Sequence, residues 1–512
     1  MSAETENSSI EMERLLSPVD KTARLMGWAS DWANPILVKE TRQSLKSRQF
    51  VMTFMLLLVA AWVITIFGLL NAGDSLDFNS SVGRGFFFAY YLVLSVAIFV
   101  VVPFGAYRSL LNERDENTFE LLSITGLTPR RIVWGKLFSA MVQLFIYYSA
   151  IAPFIAFTSL LEGFDFALVV FMLIGSMFIS LLYSMTALML STIARQKQWQ
   201  MMMSLGVFGI LMWQLLFFIP MTLFSSSITF DDPDFWWATG FFVVGTGSYF
   251  FLFQQITIAQ LTFESGNRSS GIRVICSIQC WLLWLGLWLY SMVSGTSIGE
   301  DELFTIMFLS TMHWIVVGLF ITAENDFLSR RIRRNLPASS TSRLFCIPFM
   351  PGGANGLLCV ILHLGLLWII SLLLFSHVGM RDKWIQFSSG LAFYGIIYCG
   401  ISTAIGRWGR LLSSGFSPAH VRVLVLILFV GGLIAPYIPL TLGLIDWRNY
   451  SLIYLTNPFT TLSEMSDNSG YNNVILSILG AAALFSVLVN SKAMFKAATG
   501  ILSYKSPTST EE

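Results

Sequence analysis

Twelve long apolar runs, none containing Asp, Glu, Lys or Arg, dominate this chain of 512 residues. The hydrocarbon core of a bilayer is about 30 Å thick, so a helix crosses it in roughly 20 apolar residues. Only 12% of the residues are charged, about half the fraction typical of a soluble domain. The runs therefore predict an all-α integral membrane protein with about twelve transmembrane helices. They lie near residues 50–71, 86–107, 137–161, 166–193, 201–225, 236–260, 274–293, 303–323, 355–376, 386–406, 423–445 and 472–491.

The positions of Lys and Arg predict the orientation, because an excess of positive charge marks the cytoplasmic loops of membrane proteins. With the N-terminus inside, 27 of the 31 Lys and Arg fall on the cytoplasmic side. The even number of spans then places both termini in the cytoplasm. The four exceptions are Arg84, Arg381, Lys383 and Arg448.

Spacing of spans and loops predicts two six-helix bundles, as in many transporters. Two cytoplasmic loops of similar length, 108–136 and 324–354, occupy corresponding positions in the two halves, and they share a short likeness, ENTF at 116–119 and ENDF at 324–327. We predict a disordered cytoplasmic tail at 1–33, an interfacial amphipathic helix at 34–49, bundles at 50–263 and 264–497, and a second cytoplasmic tail at 498–512.

Several classes of site are not indicated by the sequence. The net charge of +1 and the loop positions of the basic residues give no nucleic-acid footprint. The five cysteines contain no CxxC pair that would predict a disulfide framework or a metal site. A P-loop requires GxxxxGK[ST], and the only Gly-Lys pair, Gly135 and Lys136, precedes Leu137. We therefore expect no enzymatic activity, metal or cofactor on this chain itself.

The loop 108–136 has the sequence RSLLNERDENTFELLSITGLTPRRIVWGK, which predicts two short helices. Asn117 and Glu120 form a capping-box-like start, and Gly126 is a suitable C-cap for that first helix. Thr128 and Pro129 predict the start of a second helix that continues into the third span.

This loop resembles the corresponding segment of the ABC-2 type transporter permeases. In that family a charged Glu-Arg-Glu stretch leads into a Thr-Leu-Glu-Leu-Leu helix, a Thr-Pro turn, a basic pair and a Gly-Lys. The chain departs from the pattern at Asn117, where the family often has Gly, and at Gly126, where a second Pro or similar residue is common. A second likeness is NPF at 457–459, which the family often carries before its last span, where a partial re-entrant helix can sit. The matching loop residues are Glu113, Arg114, Glu116, Thr118, Glu120, Leu121, Leu122, Thr128, Pro129, Arg130, Gly135 and Lys136.

The resemblance implies an ATP-driven transporter, frequently an exporter, in the cell (cytoplasmic/inner) membrane. In the family this segment is the coupling helix that docks on a separate ATPase subunit, which binds ATP and Mg. We expect Phe119, Leu121 and Leu122 to contact that subunit, and Arg130 and Arg131 to steer docking or to bind lipid headgroups. Membrane lipid is a further expected partner. The substrate, and whether a second permease chain pairs with this one, stay open.

Three other interpretations compete with this one. The loop can be a solvated segment that is amphipathic only because it lies near the bilayer. An ion-coupled secondary transporter would need an ionisable relay within the membrane, for which only His313 and His363 are available. A non-transporting scaffold or a membrane-embedded enzyme is the third class. The acidic group at 231–234 is a cation-site candidate, although a solvated turn explains it as well.

Overall fold

The structure is a computed structural model that describes residues 35–72, 82–115, 127–159, 166–193, 196–223, 230–263, 265–295, 298–378, 382–444, 450–466 and 470–504. Within these ranges the secondary structure is helical and contains no strand. Twelve of the helical segments are long and apolar enough to cross a membrane. The chain is an α-helical multi-pass membrane protein, which confirms the predicted fold class at this level.

The chain divides into two compact units, Met1–Leu261 and Thr262–Glu512. The first unit contains α1 (Pro35–Leu45), α2 (Arg48–Ala72), α3 (Val82–Val96), α4 (Val102–Asp115), α5 (Pro129–Ser159), α6 (Phe166–Ser191), α7 (Lys197–Leu223) and α8 (Pro233–Leu261). The second unit contains α9 (Ser270–Ser294), α10 (Glu300–Ile321), α11 (Arg330–Arg334), α12 (Ser340–Cys346), α13 (Gly353–Val378), α14 (Asp382–Leu412), α15 (Pro418–Ile434), α16 (Tyr437–Thr441), α17 (Pro458–Ser466) and α18 (Asn472–Leu502).

A π-helical turn, Ala97–Val101, joins α3 to α4 within one continuous candidate span. Pro103 has no N–H to donate, so it leaves a carbonyl of the preceding turn without its usual partner. Ser180 of α6 compensates, because its hydroxyl donates to the Ile98 carbonyl at 2.6 Å. This bond fixes α6 against the helix that leads to the 108–136 loop.

Close helix packing in the second unit depends on small residues. A Cβ atom at Gly400 of α14 would collide with the Ser486 hydroxyl of α18. The Asn490 amide donates to the Gly400 carbonyl at 3.0 Å across the same contact. Small residues and interhelical hydrogen bonds are the usual means of helix association in membranes.

Helix α1 is shorter than the segment that was predicted to be an interfacial helix. The predicted segment 34–49 contains α1, which ends at Leu45, and then the first residues of α2. Ser47 causes the break, since its hydroxyl accepts from the Phe50 N–H at 3.1 Å and donates to the Ser44 carbonyl at 2.7 Å. Ser47 is therefore the N-cap of the first span.

The last helix is longer than its apolar run. The run ends at residue 491 and the predicted tail begins at 498, but α18 continues to Leu502. Arg343 stabilises this end by donating to the carbonyls of Leu502 and Tyr504, which would otherwise lack partners at the end of a helix. The helix therefore continues beyond the stretch that hydropathy alone marks.

Candidate functional site at the ends of the 108–136 loop

The structure describes only part of the predicted coupling segment. Residues 116–126 lie outside the described residues, and with them Glu116, Thr118, Phe119, Glu120, Leu121 and Leu122. The side chain of Arg114 lies outside the description too, although its backbone belongs to α4. The described members are Glu113, Thr128, Pro129, Arg130, Arg131, Gly135 and Lys136.

The second predicted helix of the loop begins where Thr128 and Pro129 place it. Pro129 is the first residue of α5, which runs without interruption to Ser159. The Arg131 N–H reaches the Thr128 carbonyl at 2.9 Å and its hydroxyl at 3.4 Å. Arg130 and Arg131 are exposed, whereas Gly135 is buried. The first turn of α5 thus presents a basic pair outward and directs the next turns into the unit.

Lys136 lies at the centre of a buried charged cluster. Its side chain is 1% exposed, and its Nζ lies 3.1 Å from Glu40 Oε1 and 3.0 Å from Glu113 Oε2. Nζ also donates to the Ser109 hydroxyl at 2.7 Å, and that hydroxyl donates to Glu40 Oε2 at 2.7 Å. We call Glu40, Ser109, Glu113 and Lys136 the Lys136 cluster.

Each member of the Lys136 cluster is placed by its helix. Ser109 and Glu113 lie four residues apart on α4, so they share one face. Lys136 lies on the second turn of α5, and Glu40 faces it from the middle of α1. The cluster therefore joins α1 to the two consecutive helices α4 and α5.

Charge within the cluster is nearly balanced. Lys39 adds a second cation 3.5 Å from Glu113, but its side chain is 56% exposed. Burial by itself raises the pKa of the Glu40 carboxyl. The positive charge of Lys136 and the hydrogen bonds from Ser109 and Lys136 outweigh this effect, so the pKa of Glu40 is lowered. Buried ion pairs compensate for lost hydration only when further hydrogen bonds satisfy the charged atoms. Ser109 supplies that bonding here.

The cluster lines one side of a cavity of about 370 Å³. Polar and charged side chains make up much of its wall, including Gln43 of α1, Arg108 of α4 and Gln143 of α5. Glu113 and Lys136 were predicted from the sequence, whereas Glu40 and Ser109 were not. Glu40 is the only acidic residue among residues 34–49, and this isolated acid in a basic amphipathic helix was the available clue.

A second buried cluster lies in the other unit, around Arg273 of α9. The Arg273 side chain is fully buried, and its Nη2 donates to Glu324 Oε2 at 2.6 Å. Its remaining N–H groups donate to the Ser269 hydroxyl and to the carbonyls of Pro348, Met350 and Gly352. All five donors of the guanidinium are used, so Arg273 fixes both ends of the 324–352 segment.

The histidines needed by an ion-coupled transporter have backbone partners. His313 Nε2 lies 3.0 Å from the Cys276 carbonyl, and His363 Nδ1 lies 2.8 Å from the Cys359 carbonyl. His363 also stacks on Trp314 with ring centroids 3.7 Å apart. These contacts favour the packing interpretation over a proton relay.

The acidic group at 231–234 has a structural partner as well. The Asp232 carboxylate accepts from the Asp234 N–H at 3.0 Å, just where α8 begins. An acidic residue in this position stabilises a helix start. This contact favours the turn interpretation over a cation site.

Comparison with known proteins gives no relative, because no family model, no curated protein and no solved structure matches the chain. The indications of function are the residues of the 108–136 loop and the contacts of its flanking helices.

Proposed function

We propose that this chain is the membrane-spanning permease subunit of an ABC transporter that exports its substrate, and that a separate ATPase subunit powers it. The sequence pattern from Glu113 to Lys136 carries the proposal. Phe119, Leu121 and Leu122 contact the ATPase, which binds ATP and Mg. Arg130 and Arg131 steer docking from the exposed first turn of α5. The protein resides in the cell (cytoplasmic/inner) membrane, with both termini and the loops 108–136 and 324–354 on the cytoplasmic side.

The Lys136 cluster supports this proposal by supplying a stiff connection on both sides of residues 116–126. Glu113 precedes the segment by three residues and Lys136 follows it by ten. Separating them would leave charges buried without partners, which is strongly unfavourable. A displacement of the segment therefore moves α4 and α5 together with α1, rather than parting them. Coupled movement of packed helices is a known way to transmit a change between sites.

The two loops have different roles in this proposal. Arg273 binds residues at both ends of the 324–352 segment with four of its five donors. That arrangement suits a structural brace. We assign docking of the ATPase to the 108–136 loop, whose residues carry the family pattern, and bracing to the second loop.

Purification of the tagged full chain in mild detergent tests whether an ATPase binds. We expect a P-loop ATPase to co-purify in stoichiometric amount, identified by mass spectrometry. In a Leu121→Asp/Leu122→Asp variant the amount of co-purified ATPase should fall at least tenfold, because apolar contact residues dominate such interfaces. The variant Asp231→Lys/Asp232→Lys, altered in the α8 turn, is the control and should retain the ATPase. Recovery of the chain alone across several detergents would contradict the proposal.

A further inference from the structure

A basic cavity of about 740 Å³ lies in the second unit, apart from the Lys136 cluster. Four cationic side chains line it: Lys492 and Lys496 of α18, Arg407 of α14 and Arg333 of α11. Arg343 holds α12 to the end of α18 through the Leu502 and Tyr504 carbonyls, which fixes one boundary of the region. The cations therefore surround a defined space.

These positive charges are not neutralised within the cavity. Among the described residues, no ion pair or hydrogen bond involves the side chains of Arg333, Lys492 and Lys496. Arg407 donates from Nη2 to the Val489 carbonyl at 3.1 Å, and a carbonyl leaves its charge uncompensated. Four like charges around one space repel one another, so an anion bound there is stabilised by all of them.

The one carboxylate in the cavity wall is already engaged elsewhere. Asp326 Oδ2 lies 4.0 Å from Arg410 Nη2, and Oδ1 accepts from the Ala354 N–H at 2.8 Å. Arg410 does not line the cavity. Asp326 is therefore balanced by a fifth cation, and the four cavity cations keep their excess charge.

Asn355, which also lines the cavity, carries a buried acceptor. Asn355 is 2% exposed, and its amide donates to the Pro351 carbonyl at 3.1 Å. Its Oδ1 has no hydrogen-bond partner within the described residues. Leaving a buried acceptor unpaired is unfavourable, so this atom suits a ligand that carries a hydroxyl donor as well as negative charge.

The surface of α18 beside the cavity is apolar. Leu484 is 61% exposed and Leu488 is 59% exposed. With Lys492 and Lys496 they follow a spacing of four residues, which places all four on one stripe of the helix. A lipid lying along this stripe would rest its acyl chains on the leucines and its headgroup on the lysines.

From this arrangement we infer that the cavity binds the phosphate group of an anionic phospholipid that has a hydroxyl-bearing headgroup. The phosphate lies among Arg333, Arg407, Lys492 and Lys496, and the headgroup hydroxyl donates to Asn355 Oδ1. Free phosphate offers the same chemistry but would not use the leucine stripe. The inference does not depend on the ATP-driven function proposed above.

Native mass spectrometry of the purified full chain with added phosphatidylglycerol or phosphatidylcholine tests the site. Each basic residue near a lipid surface contributes about fivefold to the affinity for anionic lipid. Lys492→Gln/Lys496→Gln should therefore bind phosphatidylglycerol about 30-fold more weakly than the unaltered chain. Arg331→Gln/Arg334→Gln removes two charges from the same region outside the cavity wall and should change binding less than twofold.

A second arm separates the two sources of phosphate. Inorganic phosphate is added to lipid-depleted protein, and the melting temperature is recorded for the same variants. Preferential retention of phosphatidylglycerol supports a lipid site, and stabilisation by phosphate without lipid preference supports the anion site with a soluble ligand. Equal binding of both lipids without stabilisation by phosphate would overturn the inference. If the two double variants lost phosphatidylglycerol binding equally, the inference would be overturned as well.

Discussion

Replacement of Lys136 by methionine is expected to lower the free energy of unfolding by about 3–5 kcal/mol. The Lys136 side chain is 1% exposed and contacts Glu40 and Glu113 within 3.1 Å. Methionine fills a similar volume but leaves two carboxylates buried without their cation, which is the origin of the loss. Denaturant titration of the purified chain in detergent, followed by circular dichroism, measures it.

Lys39→Met is the matched control. Lys39 also lies near Glu113, but its side chain is 56% exposed, so the loss should stay below about 1 kcal/mol. The triple variant Lys136→Met/Glu40→Gln/Glu113→Gln should recover much of the stability, because no uncompensated charge is then buried. If Lys136→Met were no more harmful than Lys39→Met, the cluster would not hold the three helices together.

Glu40 makes the stability of the Lys136 cluster depend on pH. Its pKa is lowered in the folded protein, so its charged form contributes stability that is present above its unfolded pKa of about 4.3. That contribution is lost as the pH falls through the pKa that Glu40 has in the folded protein. The difference in stability between the unaltered chain and Glu40→Gln should therefore shrink below about pH 4.

Replacement of Arg273 by methionine is the second change with a large expected effect. It removes five donated hydrogen bonds and leaves Glu324 without its cation. We expect a loss of about 3–5 kcal/mol and a tryptic cleavage rate at Arg330–Arg334 at least tenfold higher, since the 324–352 segment is no longer held. Denaturant titration and limited proteolysis measure the two effects.

Arg273→Lys separates charge from geometry. Lysine keeps the positive charge but has three donors on a single nitrogen, so it cannot serve five acceptors spread around a planar guanidinium. Its stability should fall between those of the unaltered chain and Arg273→Met. The exposed Arg331→Met is the control and should change stability by less than about 0.5 kcal/mol. Cleavage of Arg273→Met at the unaltered rate would refute the bracing role.

Hydropathy predicted the membrane-spanning helices because lipid imposes one dominant requirement on every span, apolar length. The ends of two helices depend on other contacts and do not follow the apolar runs. Ser47 ends α1 early by capping α2, and Arg343 supports α18 beyond its apolar run. Both effects depend on a few hydrogen bonds, and those of Arg343 reach residues about 160 positions away in sequence.

The candidate site was predicted in part for a related reason. Thr128 and Pro129 predicted the start of α5 because capping is local in sequence. The partnership of Lys136 with Glu40 joins residues 96 positions apart, and no local pattern specifies it. The Arg273 cluster was missed entirely, because three of its acceptors are backbone carbonyls that any sequence can supply.

ATP hydrolysis by the purified complex is the measurement that tests the central claim most directly, with Glu120→Lys as the altered chain and Asp231→Lys as the charge-matched control. We predict that the permease stimulates its ATPase, that Glu120→Lys reduces hydrolysis to the rate of the ATPase alone, and that Asp231→Lys keeps full stimulation. Circular dichroism should remain unchanged in both variants. Full stimulation with Glu120→Lys would contradict the assignment of coupling to residues 116–136.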